Sequence, residues 1–166
     1  MKHDLRLPQS SKEGLLYGMI ICGITAFLMT FLNIYLQFYT VNKEVLFIIL
    51  KAFPLFFIVA MLLENFVISR FANKLVEKYS ATQDSFNAHI LFSIFFTVVG
   101  MSFCMTLIGD FIGHGFVLEK GIVARFLMAW PRNFGVVLFI ELLIAQPLAR
   151  KVMSTIHREK SESNLA

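Results

Sequence analysis

Charge is scarce in this sequence. Only 16% of its residues are Asp, Glu, Lys or Arg, too few to clothe the surface of a soluble 166-residue chain. Cysteine is scarcer still: Cys22 and Cys104 are the only two, and they fall in different apolar stretches. That excludes a disulfide framework and reads as two small apolar fillers in a reduced state. The chain has no phosphate loop, no zinc motif and no Ser/His/Asp set. No catalytic residue, no metal and no cofactor is therefore expected, and an enzyme is the last of the function classes to consider.

Apolar residues are abundant instead. The set AVILMFWYC makes up 57% of the chain and mean hydropathy is +0.71, whereas a soluble domain averages nearer half apolar. Nineteen Phe against one Trp make the excess aliphatic and phenyl, which lipid tolerates. Four apolar stretches, Gly14–Leu36, Val45–Ser69, Ala88–Gly109 and Ile122–Gln146, are each long enough for a hydrocarbon core, which needs about 20 residues. Backbone groups in lipid must pair within the protein. Spans this long must then be helices, because barrel strands are shorter and alternate. The expectation is an all-α membrane protein with four transmembrane helices, forming two tandem hairpins. Residues 1–13 form a polar N-terminal tail, 14–78 the first hairpin, 79–87 a linker, 88–153 the second hairpin and 154–166 a mobile C-terminal tail. The first span is about twice the length of a signal-peptide core and no small-residue cleavage site follows it.

Orientation follows from Lys and Arg. Lys2, Arg6 and Lys12, then Arg70, Lys74 and Lys78, then Arg150, Lys151, Arg158 and Lys160 place ten on one side, against Lys43 and Lys120 on the other. Both termini and the linker are expected in the cytoplasm, with the protein in a bacterial inner or plasma membrane. The net charge of +4 follows from this bias and from contact with anionic lipid. Membrane lipid is the expected partner, self-association is open, and no nucleic-acid partner is expected.

The hairpin is duplicated. At a shift of 77, Leu50, Ala52, Pro54, Phe57, Val59, Glu64, Ala72 and Lys74 meet Leu127, Ala129, Pro131, Phe134, Val136, Glu141, Ala149 and Lys151. Apolar bias inflates such matches, but aligned Pro and Glu inside membrane helices are not bias. The leading helices match at a shift of 76, where Phe27, Met29 and Thr30 meet Phe103, Met105 and Thr106; one extra residue near the outer turn then lets Asn33 meet Asp110. Each repeat holds an even number of spans, so the two are expected to be related by a pseudo-two-fold axis along the membrane normal. Pro54 and Pro131 predict a kink at matching depth.

The segments Phe27–Asn33, Ala52–Pro54 and Arg125–Arg150 resemble an uncharacterised bacterial family, domain-of-unknown-function family 2798, whose members are integral membrane helix pairs. The resemblance covers residues 12–155. It is carried by a Met-Thr near the outer end of the first helix of a pair, by Trp130 and Asn133, and by Pro147 followed by Arg150. The first repeat departs from it, with Phe53, Phe56, Arg70 and Asn73 in those places. The resemblance implies the fold and no activity.

Any chemistry must come from polar residues inside the spans, where each charge costs at least about 2.5–3.5 kcal/mol on insertion scales. Lys51 and Arg125 lie near outer helix ends, where long side chains snorkel. Arg132 lies about 15 Å deep at 1.5 Å per residue and is expected to point into the bundle. Its partner would come from another helix, with Asn133 helping to satisfy a neighbour. Arg125 and Arg132, seven apart, share a helix face and could attract an anion; the alternative is a buried structural pair. Glu64 and Glu141 are the repeat-related carboxylates. Brought together near the axis they would titrate as a coupled pair, as a proton-coupled carrier needs. Otherwise each meets a Lys or Arg in the headgroup zone. Arg132 and Glu141 face opposite sides of one helix and cannot pair locally. Asp110 and His114 flank an outer turn that reads as solvated, and two ligands make no metal site. His89 is interfacial. Gly14, Gly18, Gly23, Thr25 and Ala26 let the first helix pack closely. The best reading is a small carrier or channel-like protein, with a membrane interaction or assembly protein as the alternative.

Overall fold

A computed structural model describes residues 6–79, 86–117 and 120–163, all helix and short connections. Four long helices account for it. Helix α1 is Ser11–Phe38. Helix α2 is Lys43–Tyr79, with a π-helical turn at Glu64–Ile68. Helix α3 is Phe86–Gly113. Helix α4 spans 122–163, with a second π-helical turn at Glu141–Ala145.

Local chemistry sets the ends. The Ser10 hydroxyl accepts the Glu13 N–H at 3.3 Å, while the Glu13 carboxylate accepts the Gln9 N–H at 2.9 Å. The first bond is the N-cap half of a capping box, and the second reaches one residue further back, to the residue before the cap. Tyr39 closes α1 in a left-handed conformation, its N–H donating to the Tyr35 carbonyl at 2.7 Å. The Asn42 side chain caps α2 through the Val45 N–H at 2.8 Å. Gly121, at φ 100, lets the chain turn into α4.

The expected spans all lie inside these helices, but two helices run further. Helix α2 continues through Arg70, Lys74 and Lys78 to Tyr79. Helix α4 continues to Ser163, so residues 154–163, expected as a tail, are helix. The reason is burial: Ala72 and Val76 in α2, and Ala149, Met153 and His157 in α4, are buried against neighbouring helices. Residues 80–85 of the expected linker, Lys2 in the N-terminal tail and residues 164–166 lie outside the described residues.

The helices pack in cyclic order, α1 on α2, α2 on α3, α3 on α4 and α4 back on α1, leaving α1 opposite α3 and α2 opposite α4. The turn end of the bundle holds the two hairpin connections, and the terminal end holds the start of α1 and the end of α4. The duplication is visible in the packing. The two π-turns start 77 residues apart, each ten residues after a helical proline, Pro54 or Pro131. Buried positions repeat with them: Ala60 and Val137, Ile68 and Ala145, Ala72 and Ala149, Val76 and Met153. The edge-on ring pair Phe27–Phe53, at 5.6 Å, has its counterpart in Phe103–Trp130, at 5.9 Å. Gly100 of α3 leaves room for the first π-turn, since a Cβ there would stand 3.1 Å from Ile68 Cδ1.

The bundle turns large apolar side chains outward, among them Phe47, Ile58 and Phe66 of α2 and Met128, Phe139 and Leu143 of α4. Soluble monomers rarely expose so continuous an apolar surface. Helices Ser11–Phe38, Lys43–Tyr79 and Ala88–Gly113 are long and apolar enough to cross a membrane. Helix α4, interrupted by Arg132, Asn133 and Glu141, is not among those three.

Candidate functional site

Two polar layers cross the apolar bundle. The first lies toward the turn end. Arg132 of α4 donates through Nη2 to Asn33 Oδ1 of α1 at 3.2 Å, and through Nη2 and Nε to Asn133 Oδ1 at 3.2 and 3.3 Å. Asn33 donates back to the Met29 carbonyl at 3.0 Å, and buried Asn133 donates to Thr106 Oγ1 of α3 at 3.0 Å. One turn along, Trp130 Nε1 donates to Ser102 Oγ at 3.2 Å. These bonds tie α1, α3 and α4 together around a guanidinium that has no carboxylate partner among the described residues.

The second layer is built on the π-turns. Such turns are rare insertions in α-helices, frequent at functional sites. Glu64 and Glu141 each open one. Glu141 is buried, accepting from Thr25 Oγ1 of α1 at 3.2 Å and reached also by the Gln146 side chain. Tyr17 of α1 donates to Gln146 Oε1. Around Glu64 the Ser69 hydroxyl closes the π-turn by donating to the Glu64 carbonyl at 2.6 Å. The two carboxyls lie on opposite helices of the ring, within electrostatic range of each other and of Cys22 on α1.

The structure therefore brings Glu64 and Glu141 into one layer and Arg132 with Asn133 into the other. Arg125 and Arg132 part company. Arg125 leaves the shared face for Asp110 of α3, binding it through two parallel hydrogen bonds at 2.7 and 2.9 Å. Asp110 is thus a largely covered ion-pair partner and not part of a solvated turn, because the fork of Arg matches a carboxylate across the short α3–α4 connection. His114 Nδ1 stands 3.6 Å from the same carboxylate. No group of three His, Cys, Asp or Glu among the described residues could hold a metal ion. Lys51 is exposed on α2. Arg132 is also on the exposed side of its helix, but its guanidinium bends back to the two amides. The cysteines are free, Cys22 buried and Cys104 partly so.

Sequence reasoning missed Tyr17, Gln146 and Thr106 and saw Thr25 only as a small packing residue. Asn33 had a signal, since the repeat alignment sets it opposite Asp110 and each receives an Arg of α4. A third cluster, at the terminal end, was also unforeseen. Glu13 meets His157 Nε2 at 3.0 Å and Lys160 Nζ at 2.6 Å. It precedes the apolar stretch that begins at Gly14. Lys160, the Gln9 N–H and His157 hold its carboxyl well below the usual carboxylate range, at about 2.

Comparison with known proteins agrees with the internal duplication. The family described as "Domain of unknown function (DUF2798)" matches twice, over residues 10–80 and again over 85–157, one match for each hairpin. No curated protein and no solved structure matches the chain. With nearly its whole length accounted for by two copies of that unit, the chain belongs to the DUF2798 family.

Proposed function

We propose that this protein is a small proton-linked membrane carrier in which Glu64 and Glu141 form the proton-binding pair. On this reading all four helices cross the bilayer, α4 included. Both termini face the cytoplasm of a bacterial inner membrane, following the distribution of Lys and Arg. The observation that carries the proposal is the placement of two repeat-equivalent carboxylates at the first residue of two π-turns, within electrostatic range across the bundle. A carboxylate only accepts hydrogen bonds, whereas a protonated carboxyl also donates. Gaining a proton at Glu141 changes what Thr25 and Gln146 can bond to. A π-turn is a place where a helix can change its hydrogen-bond register without unfolding. Protonation at this layer is thereby coupled to helix packing, and the cationic layer of Arg132 would receive an anionic or polar solute from the opposite face. The reading involves no catalysed reaction.

The test uses full-length protein in proteoliposomes with a pH-sensitive dye inside. Gradients of a panel of inorganic cations, anions and small organic acids are imposed in turn. At least one should drive proton movement, and E64Q and E141Q should each abolish it while remaining monodisperse in detergent. Proton movement unchanged in both variants, or absent with every solute, overturns the carrier reading. The assembly alternative expects a different pattern, in which the same variants lose expression or a bound protein partner.

A further inference from the structure

A cleft of about 760 Å³ opens at the terminal end, between the start of α3 and the second half of α4. Its volume falls within the roughly 300–1,000 Å³ of small-molecule sites. Its walls are graded. Ile94 and Leu142 line the part toward the middle of the bundle, while Arg6, Arg150 and Lys151 line the part toward the chain ends. Leu142 and Lys151 are nine residues apart on one helix, about 13 Å along its axis. No carboxylate is among the described residues that line the cleft.

Arg150 gives the site its character. Its guanidinium lies beside the Tyr17 hydroxyl, yet its Nε is buried with no hydrogen-bond acceptor, the one such side-chain atom among the described residues. A buried donor left unpaired on a charged group is costly, and an anion in the cleft lowers the cost of keeping that charge there. The planar fork of Arg matches a phosphate, and Lys151 adds a second cation one residue on. Basic pockets beside membrane helices are where phospholipid headgroups bind.

We infer that this cleft binds an anionic phospholipid, its phosphate held by Arg150 and Lys151 and the upper part of an acyl chain lying on Ile94 and Leu142. The inference rests on the bundle lying in a membrane and not on proton transport by the glutamates. The same residues that anchor Arg150 lead inward: Tyr17 bonds Gln146, and Gln146 reaches Glu141. A headgroup on Arg150 therefore steadies the side chains around the buried carboxylate.

The experiment is thermal unfolding of the full chain in detergent, titrated with phosphatidylglycerol, with phosphatidylcholine of the same acyl chains, and separately with inorganic phosphate and glycerol phosphate. Phosphatidylglycerol should raise the midpoint in a saturable way, and neither phosphatidylcholine nor the soluble phosphates should do so at equal concentration. R150Q and K151Q should each raise the half-effect concentration by about tenfold, the loss expected for one charge-assisted contact of about 1.4 kcal/mol. R150K, which keeps charge and loses the fork, should fall between. Should R150Q fail to fold, the exposed Lys151 carries the test. Equal shifts from the two lipids overturn the site, as does a phosphatidylglycerol response unchanged in K151Q. A shift reproduced by soluble phosphate alone overturns the lipid and leaves a soluble anion in its place.

Discussion

Replacing Arg125 and Arg132 separately by Met should have unequal costs, although the two cations sit on one helix seven residues apart. Arg132→Met removes hydrogen bonds of 3.2–3.3 Å to Asn33 and Asn133. Bonds to a charged group are worth about 1.5–3 kcal/mol, and long ones lie at the low end. On the proposed topology the substitution also relieves the cost of holding a guanidinium at membrane depth, about 2.5–3.5 kcal/mol on insertion scales. No carboxylate is stranded, so the two effects nearly cancel, leaving a net change within about 1 kcal/mol. Arg125→Met is different because it leaves Asp110 behind, with only 14% of that side chain exposed. Removing one partner of a buried pair costs about 3–5 kcal/mol. Arg125 itself is 33% exposed, which lowers the expectation to about 2 kcal/mol. For a chain of this size the midpoint should fall by about 4–8 °C for Arg125→Met and move by less than about 4 °C for Arg132→Met. A thiol-reactive dye reads the transition through exposure of buried Cys22. The double variant Asp110→Asn with Arg125→Met should recover most of the loss, since the stranded charge is gone. Arg132→Met falling as far as Arg125→Met, or Arg125→Met leaving the midpoint unmoved, refutes the reasoning.

Three further predictions concern the terminal end, the π-turn and the topology. Glu13 has a depressed carboxyl pKa in the folded state, so its contribution is full above the ordinary value of 4.5 and is lost as pH falls from there toward about 2. Protection of the amides in residues 154–163, relative to their intrinsic exchange rates at each pH, should fall over that window and E13Q should remove the dependence; an onset above pH 5 would contradict it. Gly100→Leu should overpack the first π-turn at Ile68 and cost about 1–3 kcal/mol in the same dye assay, and an unchanged midpoint would show that this contact is loose. Reporter fusions after Ser80 and after Ala166 should both read cytoplasmic, and an external signal from either overturns the proposed orientation.

The helical character of the chain, its apolar stretches and its duplication were legible from the residues alone. Helix length and hydropathy are local properties, and an aligned Pro and Glu survive duplication as letters in the sequence. The equivalence of Glu64 and Glu141 was legible for the same reason. Which group each charge would find was not, because partners are chosen through space. Asp110 and Arg125 are 15 residues apart, Asn33 and Arg132 are 99 apart, Thr25 and Glu141 are 116 apart, and Glu13 and His157 are 144 apart. Only the ring order of the four helices brings those pairs within a hydrogen bond. The same holds for residues 154–163. Their polarity alone suggests a tail, but α4 carries them on as helix because Met153 and His157 have neighbours to pack against. The π-turns belong wholly to the tertiary level. Composition cannot reveal a change of hydrogen-bond register within an unbroken helix, and Ile68 and Ala145, which end the two turns, are buried only once the helices pack.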